Sequence, residues 1–177
     1  MNSKNIAVSA ITASIIAVFL ILGSYVTVLD LASVILASAF VVTPLYKKSY
    51  LGAFLAYLVG GVIAFISYGF NPITLVFPAF FSFFGVYPIV QSKLNEKGVK
   101  KWVIFLIGSV WCSAVCYGLY FYYTLFMNFP LENLPAWFVN NIYLLFLPIA
   151  LIVYFVFDRF IFISKKAMYY YLSKIIK

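Results

Sequence analysis

Long apolar runs, separated by short polar connections, occupy most of this 177-residue chain and constrain its fold more than any other feature. A helix needs about 20 apolar residues to cross the roughly 30 Å hydrocarbon core of a bilayer. Apolar residues make up 66% of the chain and charged residues 9%, whereas soluble domains average about 45–50% and about 25%. The sequence therefore predicts an all-α integral membrane protein with six transmembrane helices. The six runs are Ile6–Val26, Leu29–Tyr46, Leu51–Tyr68, Pro72–Ser92, Trp102–Met127 and Ala136–Ile163.

The basic residues predict the orientation of these helices. With six crossings, all twelve fall on one side of the membrane, and the positive-inside rule then places both termini in the cytoplasm. Lysine outnumbers arginine eleven to one, a bias typical of AT-rich bacterial genomes, so we expect a multi-pass protein of the bacterial cytoplasmic membrane. The basic residues are Lys4, Lys47, Lys48, Lys93, Lys97, Lys100, Lys101, Arg159, Lys165, Lys166, Lys174 and Lys177.

The last residues predict a second, smaller unit. We divide the chain into a six-helix transmembrane domain, residues 1–163, and a basic amphipathic tail, residues 164–177. A helical tail of this pattern is expected to lie in the headgroup plane, where its lysines attract anionic lipid at the cytoplasmic face. Docking on a cytoplasmic partner is the alternative. The apolar stripe of the tail comprises Met168, Tyr171, Leu172, Ile175 and Ile176.

Small residues recur at helical spacing in the first and third runs, and such residues let membrane helices approach closely. In the first run, Ala10, Ala13 and Ala17 share one face, which serves either internal packing or the binding of a partner protein. In the third run a longer ladder predicts internal packing. That ladder consists of Gly52, Ala56, Gly60 and Ala64.

Three residues in the fourth run predict a kinked helix: Pro78, Gly85 and Pro88. Each proline leaves a helical carbonyl group without its usual donor, which is costly in lipid unless neighbouring groups or water replace it. We therefore expect the kink to face protein or a cavity. Broken helices often mark binding sites in transporters, although packing strain alone is an equally good explanation here.

Aromatic and polar residues gather at the ends of the runs that lack lysine. A few aromatic rings, amides and a carboxylate suit a small, flat, polar ligand entering from outside the cell. The alternative is the aromatic belt that membrane proteins carry at the interface. The candidate ligand-binding residues are Tyr25, Asp30, Tyr68, Asn71, Trp137, Asn140 and Asn141.

Several function classes have no support in the sequence. Histidine is absent, and we find no nucleophile–base pair, no paired catalytic carboxylates and no nucleotide-binding loop, so we predict no enzyme and no cofactor. Ionisable residues are missing at mid-membrane depth, where ion-coupled carriers need them. Cys112 and Cys116 lie one helical turn apart without other metal-ligating residues nearby, so we interpret them as packing residues and predict no metal site. Nucleic acid is not an expected partner.

Six helices in under 200 residues, with Ala13 and Ala17 four apart in the first, resemble the substrate-binding S components of energy-coupling factor transporters. The resemblance implies capture of a vitamin-like molecule near the outer face. It also implies a coupling transmembrane protein that binds the alanine motif, and separate ATPases that drive uptake. The chain is also similar in size and helix number to the cell-shape protein MreD, which implies a scaffold of the bacterial envelope instead.

Overall fold

The structure is a computed structural model that describes residues 3–69, 74–126 and 141–175. About nine tenths of these residues are helical, and they contain no strand. The all-α class predicted from the sequence is therefore confirmed. The helices are α1 (Ser3–Tyr25), α2 (Asp30–Val41), α3 (Tyr50–Ser67), α4 (Val76–Ala79), α5 (Tyr87–Glu96), α6 (Lys101–Phe126) and α7 (Ile142–Ile175), with short 3₁₀ turns at Thr27–Leu29 and Thr43–Lys47.

Five stretches of the described chain are long and apolar enough to cross a membrane, which agrees with a multi-pass membrane protein. The fourth predicted run differs, because the structure divides it into shorter elements rather than one continuous helix. The five stretches are Ser3–Tyr25, Asp30–Lys47, Tyr50–Ser67, Lys101–Tyr122 and Phe146–Lys174.

Helices α1 and α3 pack closely along the ladder of small residues. A Cβ atom at Gly60 would lie 2.7 Å from the carbonyl oxygen of Ala13 and 2.9 Å from the Cβ of Ile16. The two backbones can approach this closely because glycine has no side chain. All four residues of the ladder are buried, so its predicted role in internal packing is confirmed.

The predicted interruption of the fourth run is present and has a definite hydrogen-bond pattern. Residues Phe80–Phe84 form a π-helical turn between α4 and the start of α5, and the Gly85 N–H bonds the Phe80 carbonyl at 2.9 Å. This shift to a five-residue step leaves the Phe81 carbonyl without the Gly85 donor it would have in an α-helix. The Tyr57 hydroxyl donates to that carbonyl at 3.0 Å.

Gly85 also makes room for the ring that supplies this bond. A Cβ atom at this position would lie 2.4 Å from Cδ2 of Tyr57, so a larger residue would displace the ring. Pro88 is the second residue of α5, where its missing N–H costs little, because the first N–H groups of a helix have no intrahelical partner. Pro78 is the third residue of α4, so its missing N–H likewise costs little, and the Ser82 hydroxyl donates to the Pro78 carbonyl at 2.5 Å. The kink thus faces protein.

The last helix continues through the predicted boundary between the transmembrane domain and the tail. Helix α7 runs from Ile142 to Ile175 without a break at residue 163, and its 34 residues make it about 50 Å long. Its final turns contact the bundle, because the Tyr169 ring packs against Tyr46 at 5.2 Å and the Thr43 hydroxyl lies 3.4 Å from the Met168 sulfur. The tail is therefore helical and continuous with the last transmembrane run, and its position in the headgroup plane stays a prediction. Ile176 lies outside the described residues.

Candidate functional site

The end of the bundle without lysine brings together two of the predicted ligand-binding residues. Tyr25 closes α1 and Tyr68 follows α3, and their rings meet edge to face with 5.2 Å between centroids. Tyr25 remains 67% exposed, so one side of this pair is accessible. The neighbouring rings of Tyr68 and Phe77 lie 6.0 Å apart, and they fix the pair against the broken segment.

Asp30 provides the chemically distinctive group at this end. Its Oδ1 atom is buried and has no hydrogen-bond partner among the described residues, and the same holds for Oγ1 of Thr74. Buried polar atoms in native structures nearly always have a protein, water or ligand partner. Ser33 and Val76 pack against Gly23, which lies two residues before Tyr25. Asp30 precedes Ser33 by three residues and Thr74 precedes Val76 by two, so both lie on the Tyr25 side of this contact. The two unpaired oxygens therefore belong to the same end of the bundle.

The structure describes one further residue of the predicted ligand-binding set. Asn141 precedes the first residue of α7 and is exposed. Asn71, Trp137 and Asn140 lie outside the described residues. The structure thus brings Tyr25 and Tyr68 into contact and places Asp30 at the same end.

The predicted partner-binding face of α1 is divided between the interior and the surface. Ala13 and Ala17 are each only 4% exposed, and the Ala13 backbone abuts Gly60 of α3. Of the two alternatives for these residues, internal packing is the one present in the structure. Docking of a partner on Ala13 would require α1 to separate from α3. Ala10 is exposed and remains available to a partner.

A second polar cluster lies at the opposite, lysine-rich end. The Tyr87 hydroxyl and the Gln91 amide each donate to Oδ1 of Asp158 at 2.7 Å. The hydroxyls of Tyr87 and Tyr154 lie 2.7 Å apart, and because Tyr87 gives its proton to the carboxylate, Tyr154 must be the donor in that bond. Both tyrosines are almost completely buried. This cluster joins α5 to α7.

Sequence analysis missed this cluster, although a signal was present. Tyr87 and Gln91 are four residues apart on one helix, and Tyr154 and Asp158 are four apart on another, so each pair occupies one helical face. Asp158 and Arg159 are neighbours of opposite charge in the sequence, which suggests that they pair. Instead the Arg159 guanidinium lies 5.2 Å from the Phe155 ring, and Asp158 is held by the other helix.

The basic connections converge at this end of the bundle. Lys48, after α2, forms an ion pair with Glu96 at 3.1 Å, and Tyr50 donates a hydrogen bond to the same carboxylate. These interactions, that of Tyr50 first, hold the pKa of the Glu96 carboxyl below its ordinary value of 4.5. Lys165 on α7 donates to the Ser92 hydroxyl at 3.0 Å. Residues from three separate basic segments are thus in direct contact.

Comparison with protein-family models, with curated protein sequences and with solved structures found no match to this chain.

Proposed function

We propose that this chain is the substrate-capturing membrane subunit of an ATP-driven importer for a small, vitamin-like molecule. The observation that carries the proposal is the buried carboxylate oxygen of Asp30, which has no partner among the described residues and lies at the same end of the bundle as the exposed Tyr25–Tyr68 pair. A bound ligand that donates a hydrogen bond would satisfy this oxygen. Since the sequence has no nucleotide-binding loop, separate coupling and ATPase subunits would supply the energy.

The proposed topology has six crossings with both termini in the cytoplasm. The fourth predicted run, Pro72–Ser92, contains 21 residues, and 21 helical residues span about 30 Å, which is sufficient for the sixth crossing. Contacts among the basic segments support a single lysine-rich face, which the positive-inside rule assigns to the cytoplasm of a bacterial cell. The Tyr25 end then faces outward, where a nutrient would arrive.

The residues of the Tyr25 end favour a particular kind of ligand. Aromatic rings offer flat apolar surfaces, and a carboxylate accepts hydrogen bonds from N–H or O–H groups or pairs with a cation. A planar compound with an N–H donor or a positive charge would use both features. Loss of Asp30 would then leave a donor of the ligand without its partner, which typically costs more than the bond itself contributes.

Coupling to another membrane protein would use the exposed side of α1. Ala10 and Ser14 both lie on this side, and small residues there allow a partner helix to approach closely. Ala13 contributes indirectly, because its packing on α3 sets the direction in which the exposed side points, and Ala17 is buried on the same helix.

The test is to identify small molecules retained by the purified protein. The protein would be expressed in bacteria, purified in detergent and denatured, and the released compounds would be measured by mass spectrometry. We expect a stoichiometric compound in the wild type and its loss from Asp30→Ala and Tyr68→Ala. Glu96→Gln is the matched control, since it alters a carboxylate at the other end and should retain the compound.

Two results would contradict the proposal. One is that no small molecule accompanies the wild-type protein although it co-purifies with envelope proteins, which would favour the scaffold function implied by the resemblance to MreD. The other is equal retention of the compound by wild type and Asp30→Ala.

A further inference from the structure

A cleft of about 500 Å³ opens at the lysine-rich end, between α5 and the adjoining parts of α6 and α7. It lies at the other end of the bundle from Tyr25, and the proposed capture of a ligand does not use it. A volume of this size is in the range of protein pockets that bind small molecules. Its walls include Asn95, Lys101, Trp102, Arg159, Phe162 and Lys165.

The charge of the cleft favours an anion. Three cations line it (Lys101, Arg159 and Lys165), against a single carboxylate, that of Asp158. This carboxylate accepts hydrogen bonds from Tyr87 and Gln91, so protein donors already engage it. A phosphate group, with several acceptor oxygens, matches two ammonium groups and a guanidinium.

The cleft also presents apolar side chains beside these cations. Trp102 is 61% exposed and Phe162 is 58% exposed, and Phe105 lines the same cleft. Exposed tryptophan near lysine is typical of the boundary between headgroups and hydrocarbon. A molecule with a phosphate and acyl chains would use both parts, because its chains could run along the rings while its phosphate meets the cations. A soluble phosphate would use the cations alone.

We propose that this cleft binds the phosphate headgroup of an anionic phospholipid. The bound lipid would lie between the N-terminal end of α6 and the stretch of α7 from Asp158 to Lys165. It would hold these two helices together at the headgroup level, where basic pockets between membrane helices commonly bind anionic lipid. This cleft is distinct from the Tyr25 end, and lipid binding there does not depend on the identity of the captured molecule.

Native mass spectrometry of the purified full chain tests the proposal. The protein would be equilibrated with mixed micelles that contain phosphatidylglycerol or phosphatidylcholine, and bound lipids would be counted per chain. We expect one phosphatidylglycerol to be retained in preference to phosphatidylcholine. Lys101→Gln combined with Lys165→Gln should weaken its binding roughly 10- to 30-fold, since each basic residue near anionic lipid contributes about fivefold.

The neighbouring lysines provide a matched control. Lys100→Gln combined with Lys166→Gln removes the same charge one residue away in each segment, and neither residue lines the cleft. We expect this pair to change binding by no more than about threefold. Equal weakening by the two pairs would overturn the proposal, because it would show attraction by net charge without a specific site.

Two further measurements address folding and the source of the phosphate. Lys165→Gln also removes the hydrogen bond from Lys165 to Ser92. Lys101→Gln combined with Arg159→Gln keeps this bond and changes only exposed positions, so it serves as a second variant with the same expected loss of lipid binding. Millimolar inorganic phosphate should not displace the bound phosphatidylglycerol. Displacement by inorganic phosphate, or wild-type binding by the second variant, would contradict a lipid site at this cleft.

Discussion

Asp158 and Asp30 lie at opposite ends of the same bundle and differ in how their carboxylates are satisfied. One oxygen of Asp158 accepts hydrogen bonds from Tyr87 and Gln91, each at 2.7 Å. One oxygen of Asp30 is buried with no partner among the described residues. A carboxylate whose partners are already present holds structure together, whereas one without a partner is suited to receive a ligand.

The two ends also differ in how the helices meet. At the lysine-rich end, side chains from α3, α5, α7 and the connection after α2 interact through hydrogen bonds and one ion pair. At the Tyr25 end, the contacts among described residues are mainly between aromatic rings. Among the described residues, polar interactions thus connect the helices at the lysine-rich end, whereas aromatic contacts connect them at the Tyr25 end.

The largest expected effect comes from removing the satisfied carboxylate. Asp158→Ala should lower the free energy of unfolding by about 2–4 kcal/mol, because two buried donors lose a charged acceptor. Chemical unfolding in detergent, followed by tryptophan fluorescence, would measure this loss. If Asp158→Ala were no more destabilising than Asp30→Ala, the contrast between the two ends would be wrong.

A smaller effect on the free energy of unfolding is expected at the Tyr25 end. Asp30→Ala, measured in ligand-free protein by the same method, should leave the free energy of unfolding unchanged or raise it by up to about 1 kcal/mol, since it removes a buried oxygen that lacks a partner. Destabilisation by more than about 2 kcal/mol would show that Asp30 has a structural role like that of Asp158.

The smallest effect concerns Glu96, which is exposed at the lysine-rich end. Its pKa is lowered in the folded protein, so its ionised form stabilises the fold at neutral pH, and this contribution is lost as pH falls below 4.5 through the lowered pKa. The difference in melting temperature between wild type and Glu96→Gln should therefore be small at pH 7 and shrink as the pH falls through the lowered pKa. A difference that grows as pH falls would contradict this assignment.

Much of the fold followed from the sequence because bilayer thickness and helical spacing are strong constraints. Apolar length predicted the long helices, and the ladder ending at Gly60 and Ala64 predicted close packing in α3. The prolines and Gly85 predicted the broken segment. What they could not predict was the π-helical turn, since it depends on Tyr57 reaching the Phe81 carbonyl from another helix.

The functional residues were harder to predict because they depend on which helices become neighbours. Spacing placed Tyr87 and Gln91 on one face and Tyr154 and Asp158 on another, but it could not show that the two faces meet. For the same reason, the alanines of α1 were compatible with an internal or an external partner until the position of α3 was known. The sequence predicted that Tyr25 and Tyr68 lie at the same end of the bundle, but not that their rings meet edge to face.

The central claim is that the Tyr25 end faces outward while the lysine-rich end faces the cytoplasm. Val28 is 90% exposed at the first end, and Lys97 is exposed at the second. In a background with Cys112 and Cys116 replaced by alanine, a membrane-impermeant maleimide should label Val28→Cys in intact cells and Lys97→Cys only after permeabilisation. Labelling of Lys97→Cys in intact cells, with Val28→Cys protected, would contradict the topology and the proposed site of ligand entry.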